Sequence, residues 1–289
     1  MREVIKRFPL LSFFILSYAL SWMYWIPMLV LGLRVAPGSS TTHFPGLLGP
    51  AVAACIVEAA CHGATGLGAL LRRLILVSRP HWVFWVYSLS PVGFFAAALF
   101  VMRVHGVPIP GTQEFARFSG LPELGLPAIV LLVFFIGSYG EEIGWRGFAL
   151  ERLQQRFGPL GGTLLLALLW AGWHLPAFGV VQTYREMTIP MILGGFIFGI
   201  ACGSLVLARV AHRTSGSVLA AALWHAAYNL TSATSAGGGF IAAFTTTCVM
   251  LWALVLLAGE LRQSRGASLL SVATAFRQVH AADGGWRRG

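Results

Sequence analysis

Eight separate stretches of this chain are each apolar over about the thickness of a bilayer, and that repetition limits its fold more than any other feature. The stretches cover about 9–33, 44–66, 82–104, 125–150, 160–180, 188–208, 216–233 and 239–259. In lipid a backbone must satisfy its own polar groups, and about 20 helical residues cross the hydrocarbon core. The expected fold is therefore all-α, a polytopic membrane helix bundle of about eight transmembrane helices. The breaks are turn-rich, as in APGSSTTHFPG (36–46), VPIPGTQEF (107–115) and SAGGG (235–239). This divides the chain into a multi-pass domain, 1–259, and a cytoplasmic C-terminal tail, 260–289.

Composition agrees. Charged residues make up 10% of the chain and apolar ones 57%, against about 25% charged in soluble domains. A net charge of +10 invites a nucleic-acid reading, but the basic residues are dispersed and no polar domain presents them. They sort by side instead. With the N-terminus inside, 16 of the 20 fall in cytoplasmic segments, and only Arg34, Arg103, Arg117 and Arg185 fall outside. Both termini then face the cytoplasm, in a cell (inner or plasma) membrane. The first run follows Arg2, Lys6 and Arg7 as a signal peptide would, but it is too long and seven more follow, so it reads as a retained span.

Smaller features carry structural expectations. Cys55, Cys61, Cys202 and Cys248 lie in apolar stretches without a CxxC pair and read as buried small hydrophobes. Trp22 with Trp25, and Trp82 with Trp85, read as interface belts. The glycines of GGFIFGIACG (194–203) suggest close helix contact. In the tail, Leu269, Leu270, Val272, Phe276 and Val279 fit either a surface-lying helix or a disordered segment.

Few ionisable groups remain at depth: Glu58, Glu141, Glu142, Arg146, His174 and His225. Charge at the bilayer centre costs several kcal/mol, about 3 on insertion scales, so such residues point to function. From a rise of about 1.5 Å per residue, Glu141 lies roughly 16 Å from Arg152, His225 roughly 18 Å from Arg213 and His174 roughly 22 Å from Pro159. Three groups on three helices thus share a depth near the midplane. Glu142 and Arg146 are i and i+4 and can neutralise each other, while Glu141, about 100° around the helix, is left to face the bundle centre. His225 and Asn229 share one helix face, and Trp170 and His174 share another. Glu58 and His62 form a further i, i+4 pair nearer a span end, read as packing or snorkelling.

A carboxylate with two histidines allows two chemistries. Glu141, His174 and His225 can bind Zn²⁺ and activate its water. Alternatively Glu141 deprotonates water with one histidine, while the other histidine and Asn229 hold the oxyanion. No HExxH occurs. Either route hydrolyses an acyl bond.

Three motifs occur in order: EExxxR (Glu141, Glu142, Arg146), aromatic-xxx-His (Trp170, His174) and HxxxN (His225, Asn229). Together they resemble the CPBP family of CAAX prenyl proteases and bacteriocin-processing enzymes, the Rce1-like or Abi intramembrane proteases, over about 125–233. The resemblance implies an intramembrane endopeptidase acting on a membrane-associated peptide or protein. Glu141 would be the catalytic glutamate, His174 its partner in activating water, and His225 with Asn229 the oxyanion site. Glu142, Arg146 and Trp170 would give structural support. The family has been described both with and without a metal, and Asn229 as an oxyanion donor favours the metal-free form, with zinc as the alternative cofactor. Where Trp170 stands the family usually has Phe, a change expected to alter packing around His174 more than chemistry. Two other functions fit a polytopic chain: a proton-coupled transporter, or a non-catalytic bacteriocin-immunity or scaffold protein. A transporter commonly shows repeated halves, and no repeat is visible.

Overall fold

A computed structural model describes residues 2–262 and 268–272. Among them the chain is helical, with only isolated β-bridges in the loops. Six helices are long and apolar enough to cross a membrane: α1 (Pro9–Val30), α2 (Phe44–Leu74), α5 (Leu126–Phe157), α6 (Pro159–Val180), α7 (Met191–Arg213) and α9 (Phe240–Arg262). Between α2 and α5, α3 (His81–Ser88) and α4 (Ser90–Val104) are together long and apolar enough for a further span, with a 55° bend at the break between them. The remaining expected segment, 216–233, is α8 (Val218–Ser232), a helix of 15 residues. At about 1.5 Å per residue it is shorter than a hydrocarbon core. Its small residues explain how it fits: Ala220, Ala221, Ala222 and Ala226 are buried against α4, α5, α7 and α9, so α8 sits inside the bundle.

Close packing of α5 on α2 sets the position of the glutamates. Gly140 and Gly144 face α2, and a Cβ on Gly144 would lie 2.5 Å from the Pro50 Cβ and 2.7 Å from its carbonyl oxygen. A Cβ on Gly140 would lie 2.8 Å from the Leu47 carbonyl oxygen. The two helices therefore approach at backbone contact, which holds the intervening residues 141–143 at a fixed height and rotation. Gly144→Ala should lower stability by about 1–3 kcal/mol, the usual cost of overpacking, because the obstacles are the Cβ of the rigid Pro50 ring and its backbone, neither of which can step aside. Thermal unfolding in detergent checks this.

Within α5, Val133–Ser138 and Trp145–Ala149 are π-helical turns, one on each side of the glutamates. Such wide turns recur at functional sites and leave carbonyls without their usual partners. Arg73 of α2 answers this need: its guanidinium donates to the carbonyls of Arg146 (3.0 Å), Gly147 (2.8 Å) and Gly216 (2.8 Å). It fastens α2, α5 and the entry to α8 together. By sequence Arg73 belongs with the cytoplasmic loop charges, yet the side chain is buried. Glu58 is similarly structural, taking Arg152 at 2.6 Å and His62 at 2.9 Å.

Several smaller expectations change. Trp25 is buried at 4.7 Å from the Trp173 ring and donates to the His43 carbonyl, while Trp22 donates to the Trp173 carbonyl. These two therefore join α1 to α2 and α6 rather than forming a belt. Trp82 and Trp85 are exposed, as a belt requires. The glycines of 194–203 do not bring helices together either: a Cβ at Gly194, Gly195 or Gly203 would meet nothing within 4 Å. All four cysteines are free. In the tail, Leu270 and Val272 are buried, with both backbones bonded to the Gln154 amide, while Phe276 and Val279 lie outside the described residues.

Candidate active site

Three helices bring the polar residues together. Glu141 lies in the middle of α5, His174 follows the main helical stretch Pro159–Trp173 of α6, and His225 and Asn229 stand one turn apart on α8. All four line one cavity of about 360 Å³. Its remaining wall is mostly apolar and comes from α5, α7, α9 and the loops at one end. Gly195, Gly199 and Gly203 contribute the face of α7, where missing side chains leave the space open.

The adjacent carboxylates have different partners. Glu142 is 0% exposed, and its Oε1 accepts from Arg146 Nη1 (2.9 Å) and His225 Nδ1 (2.9 Å). The guanidinium also lies 4.5 Å from the Trp170 ring centre and donates weakly to Ser204 Oγ at 3.4 Å. Glu142 thus does more than neutralise Arg146, because it ties α5 to α8 through the histidine. Glu141 is 5% exposed, and only its Oε2 is engaged, by the Trp170 indole N–H at 2.6 Å. Its Oε1 makes no hydrogen bond among the described residues, and the side chain borders the cavity.

That indole bond was not legible from the aromatic-for-aromatic comparison. Phe could fill the space but could not donate, so the tryptophan fixes one oxygen and thereby the carboxylate plane. Trp170→Phe should lower stability by about 1–3 kcal/mol, the range for losing a bond to a charged group, while leaving the fold intact. Thermal unfolding compared with a Trp170→Leu protein, which loses ring and donor together, separates the two contributions.

The histidines are oriented by their outer nitrogens. His174 Nδ1 lies 2.8 Å from the Trp170 carbonyl, which can only accept, so Nδ1 carries hydrogen and Nε2 is left free. His225 Nδ1 is likewise committed to the Glu142 carboxylate. Among the polar groups that the loops bring to the cavity are His43 and Tyr184, which no sequence motif marks. Burial pushes His43 down to about 4, so it is neutral at physiological pH. Burial, followed by the nearby Glu141 charge, pushes the Tyr184 phenol up.

The zinc alternative finds no support in this arrangement. Among the described residues no three His, Cys, Asp or Glu side chains converge as a metal-binding group, so Glu141, His174 and His225 are not gathered into a ligand set.

The segment that builds this geometry has known relatives. Residues 123–231 match the family described as type II CAAX prenyl endopeptidase Rce1-like, and they hold all three motifs. A protein of Methanococcus maripaludis named CAAX prenyl protease 2 is 25% identical over 138 residues, 46% of this chain and 51% of that protein. The chain therefore spans about half the length of the curated relative it matches. Both glutamates, both histidines and Asn229 lie inside the segment, residues 123–231, that is similar to the Rce1-like family.

Proposed function

We propose that this protein is an intramembrane endopeptidase, metal-free and glutamate-dependent, that cleaves a peptide bond of a membrane-associated substrate in the cell membrane. The observation that carries the reading is the unequal treatment of two adjacent carboxylates. Glu142 is bound to two cationic or potentially cationic side chains, whereas Glu141 keeps Oε1 free beside a cavity shared with His174, His225 and Asn229. A neutralised partner and a free base are what water activation needs.

In this reading a water sits between Glu141 Oε1 and His174 Nε2. Glu141 removes its proton as the water oxygen attacks the scissile carbonyl carbon, and the carbonyl π pair moves to oxygen. The Asn229 amide donates to that oxyanion, with His225 Nε2 beside it. Collapse of the tetrahedral intermediate breaks the C–N bond, and the leaving amine takes the proton from Glu141. The apolar cavity wall excludes other water and accepts an extended peptide delivered from the bilayer. The name of the archaeal relative concerns prenylated substrates; for this chain the class is a membrane-associated peptide or protein.

The test compares membrane-protein termini by mass spectrometry in cells making the wild-type chain, Glu141→Gln or His174→Ala at equal levels. New termini should appear with wild type alone. Identical sets in all three, with each protein folded, would overturn the protease reading.

A further inference from the structure

A phenol with no assigned role borders the same cavity. Tyr184 lies on the short helical turn Gln182–Arg185 between α6 and α7, in a stretch without any recognisable motif. Backbone pairing holds the turn firmly: Val35 N–H donates to the Val180 carbonyl at 3.0 Å, and Gln182 N–H donates to the Val35 carbonyl at 2.9 Å. Arg185 closes it from the other side by donating to the Gly179 carbonyl at 2.7 Å. The ring is wedged among aromatics, stacked on Phe178 at 5.1 Å and edge-on to Phe196 at 5.4 Å and to His174 at 6.3 Å.

The ring is thus held by three aromatic neighbours, but its hydroxyl donates to nothing and accepts from nothing among the described residues. Glu141, Tyr228 and Asn229 line the same cavity as Tyr184. The phenol therefore shares that cavity with the base and with the α8 face that carries the amide, its ring 6.3 Å from that of His174. Its raised proton affinity keeps it a donor.

We propose that Tyr184 is a catalytic residue whose hydroxyl, alongside the Asn229 amide, donates a hydrogen bond to the scissile carbonyl oxygen as that oxygen becomes an oxyanion. The proposal rests on the protease reading and deepens it. Two donors from different elements fix both the position and the rotation of the carbonyl, which one amide cannot do. The proton stays on the tyrosine throughout, so the bond balance of the reaction is unchanged.

Tyr184→Phe tests this, because it keeps the ring contacts and removes only an oxygen that has no protein partner among the described residues. The substrate is a synthetic peptide spanning a terminus produced by wild type and absent with Glu141→Gln, cleaved by protein reconstituted in phospholipid vesicles. Loss of one oxyanion donor typically costs about 10²–10³ in kcat. That fall is expected here, with KM within about threefold and an unchanged unfolding temperature. Wild-type kcat in Tyr184→Phe, with Glu141→Gln inactive in the same vesicles, would overturn the inference and leave the protease reading standing. A raised KM with unchanged kcat would also overturn it, since it would make Tyr184 a binding contact alone. If wild type itself produced no terminus, the reading and the inference would fall together.

Discussion

Glu142→Ala should destabilise the protein by about 3–5 kcal/mol, the range observed when one partner of a buried ion pair is removed. Arg146 is 1% exposed and would lose the one carboxylate bonded to it among the described residues, and His225 would lose the acceptor that orients it. The cost comes from abandonment more than from the worth of the pair. Glu142→Leu combined with Arg146→Leu should therefore cost less than the two single changes added together, since no charge is left without its partner. Unfolding temperatures of the three variants in one detergent measure this directly. Additive costs would mean that Glu142 and Arg146 act independently. Glu142→Gln separates charge from geometry, because an amide oxygen still accepts from His225 and Arg146.

Glu141→Gln should behave in the opposite way, with little change in stability and a loss of turnover of about 10²–10⁴, the usual contribution of a general base. The amide oxygen can take the Trp170 indole N–H that Glu141 Oε2 takes now, so the packing survives. An amide cannot accept the water proton. Single-turnover cleavage of the peptide identified from cellular termini gives the rate, and thermal unfolding of the same preparation gives the stability. Variants at two neighbouring positions of α5 should thus separate cleanly, one losing fold and the other losing chemistry.

The membrane architecture was legible because length and hydropathy alone decide it, and α1, α2, α5, α6, α7 and α9 all lie where the apolar runs place them. The exception is α8, whose alanines read as a span but serve to let a short helix enter a crowded interior. Within the site, the i, i+4 pairing of Glu142 with Arg146 followed from helix geometry. The second bond of Glu142, to His225, could not, because contacts between helices have no sequence spacing. The same holds for the indole bond of Trp170 and for Arg73, whose buried carbonyl contacts depend on π-helical turns that no residue pattern announced. Tyr184 carries no signal in the sequence because its position is set by backbone pairing with Val35, far away along the chain.

The two wide turns of α5 have a consequence for how such a chain can change over evolutionary time. A π turn is in effect an α turn with one residue to spare. Loss of a residue within Val133–Ser138 can be absorbed by tightening that turn, with everything beyond it keeping its rotation and height. The same loss within Tyr139–Gly144, where no slack exists, would swing one carboxylate about 100° away from its partner and break the α2 contact as well. Single-residue deletions should therefore be tolerated at the wide turns and purged between them, which makes the six residues around the glutamates a ruler of fixed length inside the helix.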